Sequence, residues 1–234
     1  MSLDPNQFAK SIGLSFLNKD LIKQAFIHRS YLNEHKEVTL PHNERLEFLG
    51  DAVLELVVTR YLFEHYPDKP EGELTALRAA LVNTISISEV ARTLGMNDYL
   101  LLSRGEAKDT GRARQYILAN TFESVIGAIY LDQGYEAAEK FIADNLFKKA
   151  DRIVSEQLWQ DAKSFFQEKA QDAYSTTPSY QVLGEVGPDH NKRFTVGLYI
   201  GDEQIATGEG HSKQEAEQDA AQKGLKEKGW ETLA

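Results

Sequence analysis

The segment His42-Asn43-Glu44-Arg45-Leu46-Glu47-Phe48-Leu49-Gly50-Asp51-Ala52-Val53-Leu54 holds the densest chemistry in the sequence. Glu44, Glu47 and Asp51 recur at i, i+3 and i+7, a spacing that puts three carboxylates on one stripe of a helix. Leu46, Phe48, Leu49, Val53 and Leu54 make much of the remaining helix surface apolar. Like charges on neighbouring turns repel unless a cation lies between them. A hard divalent ion such as Mg²⁺, which prefers oxygen ligands, offsets that repulsion. The plain alternative is a solvated acidic stripe near a helix N-terminus, where the helix dipole favours Glu. A second apolar segment, Ile117 to Tyr130, carries Asn120 and Glu123 at i, i+3 and can offer oxygens to the same cation. Glu71, in the turn before a third helix, is a further candidate.

The elements that must hold these groups are helices. Through residues 1–150 apolar positions recur at helical spacing in Leu21–Phe26, Leu46–Leu62, Leu74–Leu94, Tyr116–Leu131 and Ala137–Phe147. Loops are expected at Tyr66–Gly72 and Leu102–Gly111, where Pro and Gly collect. The pattern changes after Asp151. Asp161–Tyr174 reads as a helix, and Tyr180–Leu183, Phe194–Ile200 and Gln204–Gly208 read as strands. A turn at Gly187–His190 separates the first two strands. A last helix runs from Ser212 to about Lys228, opened by a capping box of Ser212 and Glu215. The expected plan is a multi-domain chain: an all-α domain over 1–150, a charged connector over 151–160, and a small α+β domain over 161–230 in α-β-β-β-α order.

Composition removes several classes of function. With no cysteine, disulfides, thiolate zinc sites and a Cys nucleophile are ruled out. No stretch approaches the ~20 apolar residues of a membrane span. Met1–Lys10 has no basic stretch followed by an apolar run, so a cytoplasmic protein without a secretory signal is expected. The net charge of -10, from 26 Lys+Arg against 36 Asp+Glu, argues at first against nucleic acid. Both parts share it: residues 1–151 carry 17 Lys+Arg and 22 Asp+Glu, and residues 152–234 carry 9 and 14, so each is net -5.

Asn43 to Asp51 resembles the signature of bacterial ribonuclease III. The resemblance continues through His28-Arg29-Ser30, Glu71-Gly72 and Ile117 to Asp132, and into a C-terminal double-stranded-RNA-binding domain. It implies a Mg²⁺-dependent endonuclease, with Mn²⁺ able to substitute and no nucleotide cofactor. Such an enzyme hydrolyses both strands of an RNA duplex to 5′-phosphate and 3′-hydroxyl ends and processes rRNA and mRNA precursors. By the family pattern Glu47, Asp51, Asn120 and Glu123 are metal ligands, and Asp51 and Glu123 are the catalytic pair. Glu44 and Glu71 line the same cleft. A homodimer is implied, with Phe48 matching the aromatic that enters a partner's hydrophobic cavity; an ordinary core Phe is the other reading. His28, Arg29 and Ser30 match a core motif and are read as structural. Arg112 and Arg114 read equally as phosphate contacts or as surface. Asn120 departs from the family, which has Asp there. That change keeps an amide oxygen, removes one formal charge, and leaves open a catalytically impaired protein that only binds duplexes.

For the small domain the resemblance implies readout of A-form shape across two minor grooves and the major groove between them. Gln167 and Gln171, one turn apart, would meet 2′-hydroxyls, and His190 would enter the next minor groove. Ser212 and Lys213 would meet phosphate at a helix N-terminus. Gln214 follows Lys213 where basic members carry a second Lys, so intrinsic RNA affinity is expected to be modest. A third reading, a metal-dependent helical hydrolase of nucleotides, explains the carboxylates but not the small domain.

Overall fold

The computed structural model describes residues 3–155, 161–188 and 192–230. The chain separates into two compact units, Met1–Trp159 and Gln160–Ala234.

The described part of the first unit is helical: α1 (Pro5–Ser11), α2 (Lys19–Ala25), α3 (Tyr31–Glu34), α4 (Glu44–His65), α5 (Glu71–Val82), α6 (Thr84–Thr93), α7 (Arg104–Lys108), α8 (Arg112–Gln133), α9 (Tyr135–Ile142) and α10 (Lys148–Ser155). Helices α4 and α8, 22 residues each, form its spine. Leu46, Val53, Leu54, Val57 and Val58 of α4 are buried, as are Phe122, Val125, Ile126 and Ile129 of α8. Burial of this many aliphatic and aromatic side chains, each worth about 1.5–3 kcal/mol, is what holds the pair together. Small helices close the ends, where Phe8 meets Phe26 and Tyr99 edge-on at 5.0 and 5.5 Å between ring centres.

Three segments differ from the sequence reading. The apolar run Leu74–Leu94 is two helices, because Asn83 turns extended and its side chain accepts the Ser86 N–H at 2.9 Å, starting α6 afresh. The Leu102–Gly111 loop contains α7, whose first turn is capped by Ser103 Oγ accepting the Glu106 N–H at 3.3 Å. Residues 151–155, expected in the connector, continue α10; residues 156–160 lie outside the described part.

The second unit has α11 (Ala162–Tyr174), β1 (Ser179–Val186), β2 (Arg193–Ile200), β3 (Glu203–Gly210) and α12 (Lys213–Glu227), the expected order. The sheet is antiparallel in the order β1-β2-β3, with Tyr180 opposite Leu198 and Leu198 opposite Ala206. Each strand is longer than its apolar alternation, and irregularities at Val182/Gly184 and Leu198/Tyr199 twist the ladder. Phe166, Ala170, Leu198, Ala220, Ala221 and Leu225 form its core. Gly208 lets α12 lie directly on the sheet: a Cβ there would overlap the backbone of Ala216 and Ala220. Ser212 Oγ accepts the Glu215 N–H at 3.1 Å, while the Glu215 carboxylate accepts from His211 at 2.8 Å, one residue before the expected partner. Among the described residues no helix is long and apolar enough to cross a membrane.

Candidate active site

The carboxylates are brought together by a contact between two glycines. Gly50 and Gly127 face each other where α4 crosses α8: a Cβ on Gly50 would overlap the Glu123 carbonyl, lying 2.6 Å from its carbon, and one on Gly127 would overlap the Leu46 carbonyl. Backbone therefore touches backbone. Glu47 and Asp51, on either side of Gly50, are set against Asn120 and Glu123, within two turns of Gly127.

The start of α4 is fastened separately. Buried Asn43 donates its N–H to Ile27 O at 2.9 Å and its amide Nδ2 to Ala25 O at 3.2 Å. Ser124 Oγ lies 2.7 Å from Asn120 O, four residues back on α8, and 3.3 Å from Asn43 O, so its single proton is shared between its own helix and the start of α4. These two residues carry no chemistry in the sequence reading, since a lone Asn and a lone Ser give no pattern.

The electrostatics of the cluster are those of anions short of cations. Burial, then Asp51, then Glu47 push the Glu123 carboxyl up to about 8. Burial and the nearby Glu44 raise Glu47, a hydrogen bond from the Asn120 side chain partly counteracts them, and Asp51 raises it further. Four of the expected residues, Glu47, Asp51, Asn120 and Glu123, thus interact directly, and Glu44 reaches the group through Glu47. Glu44 faces Arg29 and His42, its carboxylate oxygens 3.7 Å from Arg29 Nη1 and 3.7 Å from His42 Nδ1.

The oxygen-only donor set of Glu47, Asp51, Asn120 and Glu123 suits a hard divalent cation, and the upward shifts mark a place where positive charge is missing. Among the described residues no three His, Asp or Glu side chains converge as a finished metal cage, as expected of carboxylates repelling one another.

Glu71 opens α5. The short Tyr66–Pro70 link makes α5 run antiparallel to α4, and Arg78 pairs with Glu55 at 3.0 Å and donates to Thr59 at 2.9 Å. Glu71 lies seven residues before Arg78, about 10 Å along the axis at 1.5 Å per residue, in the direction away from Asp51. There its carboxylate accepts from Thr75 Oγ1 at 3.2 Å.

The His28-Arg29-Ser30 motif divides by role. His28 Nδ1 lies 2.8 Å from Ser30 Oγ, which accepts the Ser103 N–H at 3.1 Å, and the His28 N–H reaches Leu101 O at 3.1 Å. These two residues join chain segments. Arg29 between them is exposed. Arg114 is neither surface nor a free phosphate contact: it is buried, donating to Asn97 Oδ1 at 2.8 Å and Glu106 O at 2.7 Å.

Phe48 is not a core residue of this chain, being 81% exposed. It heads a stripe along α4 continued by Leu56 and by Phe63, which is 72% exposed. In the second unit Gln167 and Gln171 stand exposed on one face of α11, sharing a shallow surface with Ser164, Glu168 and Asp172. Ser212 caps α12, and the exposed Lys213 ammonium lies 6.0 Å from the centre of the Phe194 ring. His190 is outside the described residues.

Residues 18–150 match the Ribonuclease-III-like family and residues 162–228 the double-stranded RNA binding motif. The chain is 45% identical over 219 residues to Ribonuclease 3 of Geobacillus thermodenitrificans, covering 94% of this chain and 89% of that one. It is 43% identical over 222 residues to Ribonuclease 3 of Borreliella burgdorferi, covering 94% and 90%. Among solved structures it resembles the nuclease domain of ribonuclease III from Campylobacter jejuni, with a TM-score of 0.54 and 38% identity over 61% of this chain and 98% of that one.

Proposed function

The chain belongs to the ribonuclease III family, and from that premise we propose that the carboxylate row on α4 and α8 carries out its hydrolysis of double-stranded RNA. The observation that supports this placement is the Glu47–Asp51–Glu123 group, carboxylates close enough for their charges to act on one another, with Glu123 raised to about 8 by burial first and then by the other two. Charge held this way at a helix crossing costs stability and does nothing for packing, so it belongs to the chemistry. The relatives named Ribonuclease 3 favour cleavage over simple duplex holding.

Glu47, Asp51, Asn120 and Glu123 would hold Mg²⁺ or Mn²⁺. Bound there, the ion supplies an activated water nucleophile and balances charge on the phosphate and the leaving 3′ oxygen. Asp51, on the exposed side of α4, orients the attacking water. Glu123, more deeply set, keeps its proton at neutral pH until positive charge arrives. Glu44 lines the rim. Gln167, Gln171, Ser212, Lys213 and His190 of the second unit would follow the duplex backbone, and hydrolysis at the carboxylates would leave 5′-phosphate and 3′-hydroxyl ends on cytoplasmic rRNA and mRNA precursors. The test is a labelled RNA duplex incubated with and without Mg²⁺. Duplex fragments formed only with the metal support the reading; a metal-independent band shift without cleavage overturns it.

Asn120 tunes metal demand. Asn120→Asp adds a formal charge to the donor set and should lower the Mg²⁺ concentration for half-maximal cleavage roughly tenfold. A Mg²⁺ titration giving an unchanged or higher midpoint would remove Asn120 from the ligands.

The exposed α4 stripe supports a homodimer, since cutting both strands needs two clefts. The Campylobacter structure is described as having a region involved in dimer formation of its nuclease domain. Large aromatics buried at an interface commonly dominate its binding energy. Phe48→Glu should weaken association by about a hundredfold or more, seen as a shift to monomer in sedimentation velocity. A variant that sediments as the parent does would move the interface off this stripe.

A further inference from the structure

We propose that Arg29 is a substrate contact, its guanidinium binding a backbone phosphate of the RNA strand that enters the carboxylate cleft. The inference rests on the cleft being the place of RNA cleavage and supplies what that cleft otherwise lacks on its protein side.

The problem it answers is one of charge. Glu44, Glu47 and Asp51 form an acidic row on α4 with Glu123 set against it, and an RNA backbone is itself anionic. Arg29 is the arginine that the structure sets against this row, with Nη1 3.7 Å from Glu44 Oε1. That separation is too long for a hydrogen bond. Both side chains are solvated, Arg29 to 73% and Glu44 to 48%. An exposed pair of this kind contributes little to folding. Among the described residues the guanidinium thus stands at the rim of the site without a short hydrogen bond, loosely held by the carboxylate that a phosphate would displace.

Its presentation is rigid. The residues on either side are fastened, His28 by its N–H to Leu101 O and its ring to Ser30, and Ser30 by the Ser103 N–H. An arginine projected from a fixed backbone loses less freedom on binding, and its planar fork matches two phosphate oxygens at once. A lysine there would offer a point charge without the fork. In the second unit Lys213 is followed by Gln214, not by a second Lys, so an added phosphate contact elsewhere on the chain would contribute to affinity.

The test is steady-state cleavage of a labelled RNA duplex by the full chain at saturating Mg²⁺ over a range of salt concentrations, with parent, Arg29→Ala and Arg29→Lys. The expected result for Arg29→Ala is a KM raised about tenfold, kcat within about twofold, and a log–log salt slope of kcat/KM reduced by about one. Arg29→Lys should keep the slope and recover part of the KM. Melting temperatures matching the parent establish that the variants are folded. An unchanged KM and slope in Arg29→Ala overturns the proposal. So does a fall in kcat alone, which would make Arg29 a residue that positions Glu44. If the parent itself leaves the duplex intact, the cleavage reading fails, and band shifts across the same salt range then decide Arg29 by the same change in slope.

Discussion

Glu123→Gln should lower duplex cleavage by roughly three orders of magnitude and, in the absence of metal, stabilise the protein increasingly as pH rises. The first effect follows from removing an anionic oxygen at the centre of the row. The second follows from why Glu123 is raised to about 8 from an ordinary 4.5: burial first, then Asp51, then Glu47. Between those two values the unfolded chain has released this proton and the folded chain has not. Folding stability contributed by Glu123 therefore falls as pH rises through that window, and the loss is complete above about 8. The amide of Gln has no proton to lose and removes the slope. In EDTA the melting temperature of Glu123→Gln should match the parent near pH 5 and exceed it by several degrees at pH 8, a free-energy difference on the order of a few kcal/mol. A difference that stays flat with pH would mean that Glu123 is not raised in the folded chain. Added Mg²⁺ should narrow the gap, because it stabilises the parent more than the variant.

The second large effect is mechanical. Gly50→Ala places a methyl group onto the Glu123 carbonyl, and Gly127→Ala does the same at Leu46. Neither obstacle is a flexible side chain, so the helices themselves must separate. They form the centre of the first unit's core, and parting them loosens contacts on both sides of the crossing. The expected cost is about 3 kcal/mol or more, a fall of about 10 °C in melting temperature, with cleavage lost alongside. Gly72→Ala is the control. A methyl there meets nothing within 4 Å, and Ala is the better helix former, so stability should hold or rise slightly. Thermal melts of the three variants decide the matter; a Gly50→Ala protein as stable as the parent would show that the crossing can give way.

These residues also show what a sequence can and cannot carry. Glu44, Glu47 and Asp51 were legible because a helix turns their spacing into one face, and Asn120 with Glu123 because the same rule applies to a second apolar helix. Glu71 was legible only as an acidic residue in a turn, because spacing within a helix says nothing of which end of its neighbour it meets; the five-residue link from Tyr66 to Pro70 makes α5 double back, which sets Glu71 away from Asp51 along α4 within one chain. The break at Asn83 and the turn at Ser103 were written as ordinary caps, hidden inside a longer apolar run and a Gly-containing loop. Gly50 and Gly127, by contrast, have no local signal. They are 77 positions apart in the chain and meaningful only as a pair. Phe48 shows the opposite limit: its type suggested either a core or an interface, and its exposure removed the first.

The joint between Gly50 and Gly127 has a consequence for how this enzyme can change. Because main chain rests on main chain, the approach of the two helices that carry the proposed site is limited at this point by backbone atoms and not by side chains. Val53, Val57, Val125 and Ile129 fill the core along the same two helices. The same contact that brings the carboxylates of α4 and α8 together is therefore also a limit on side-chain size at the crossing.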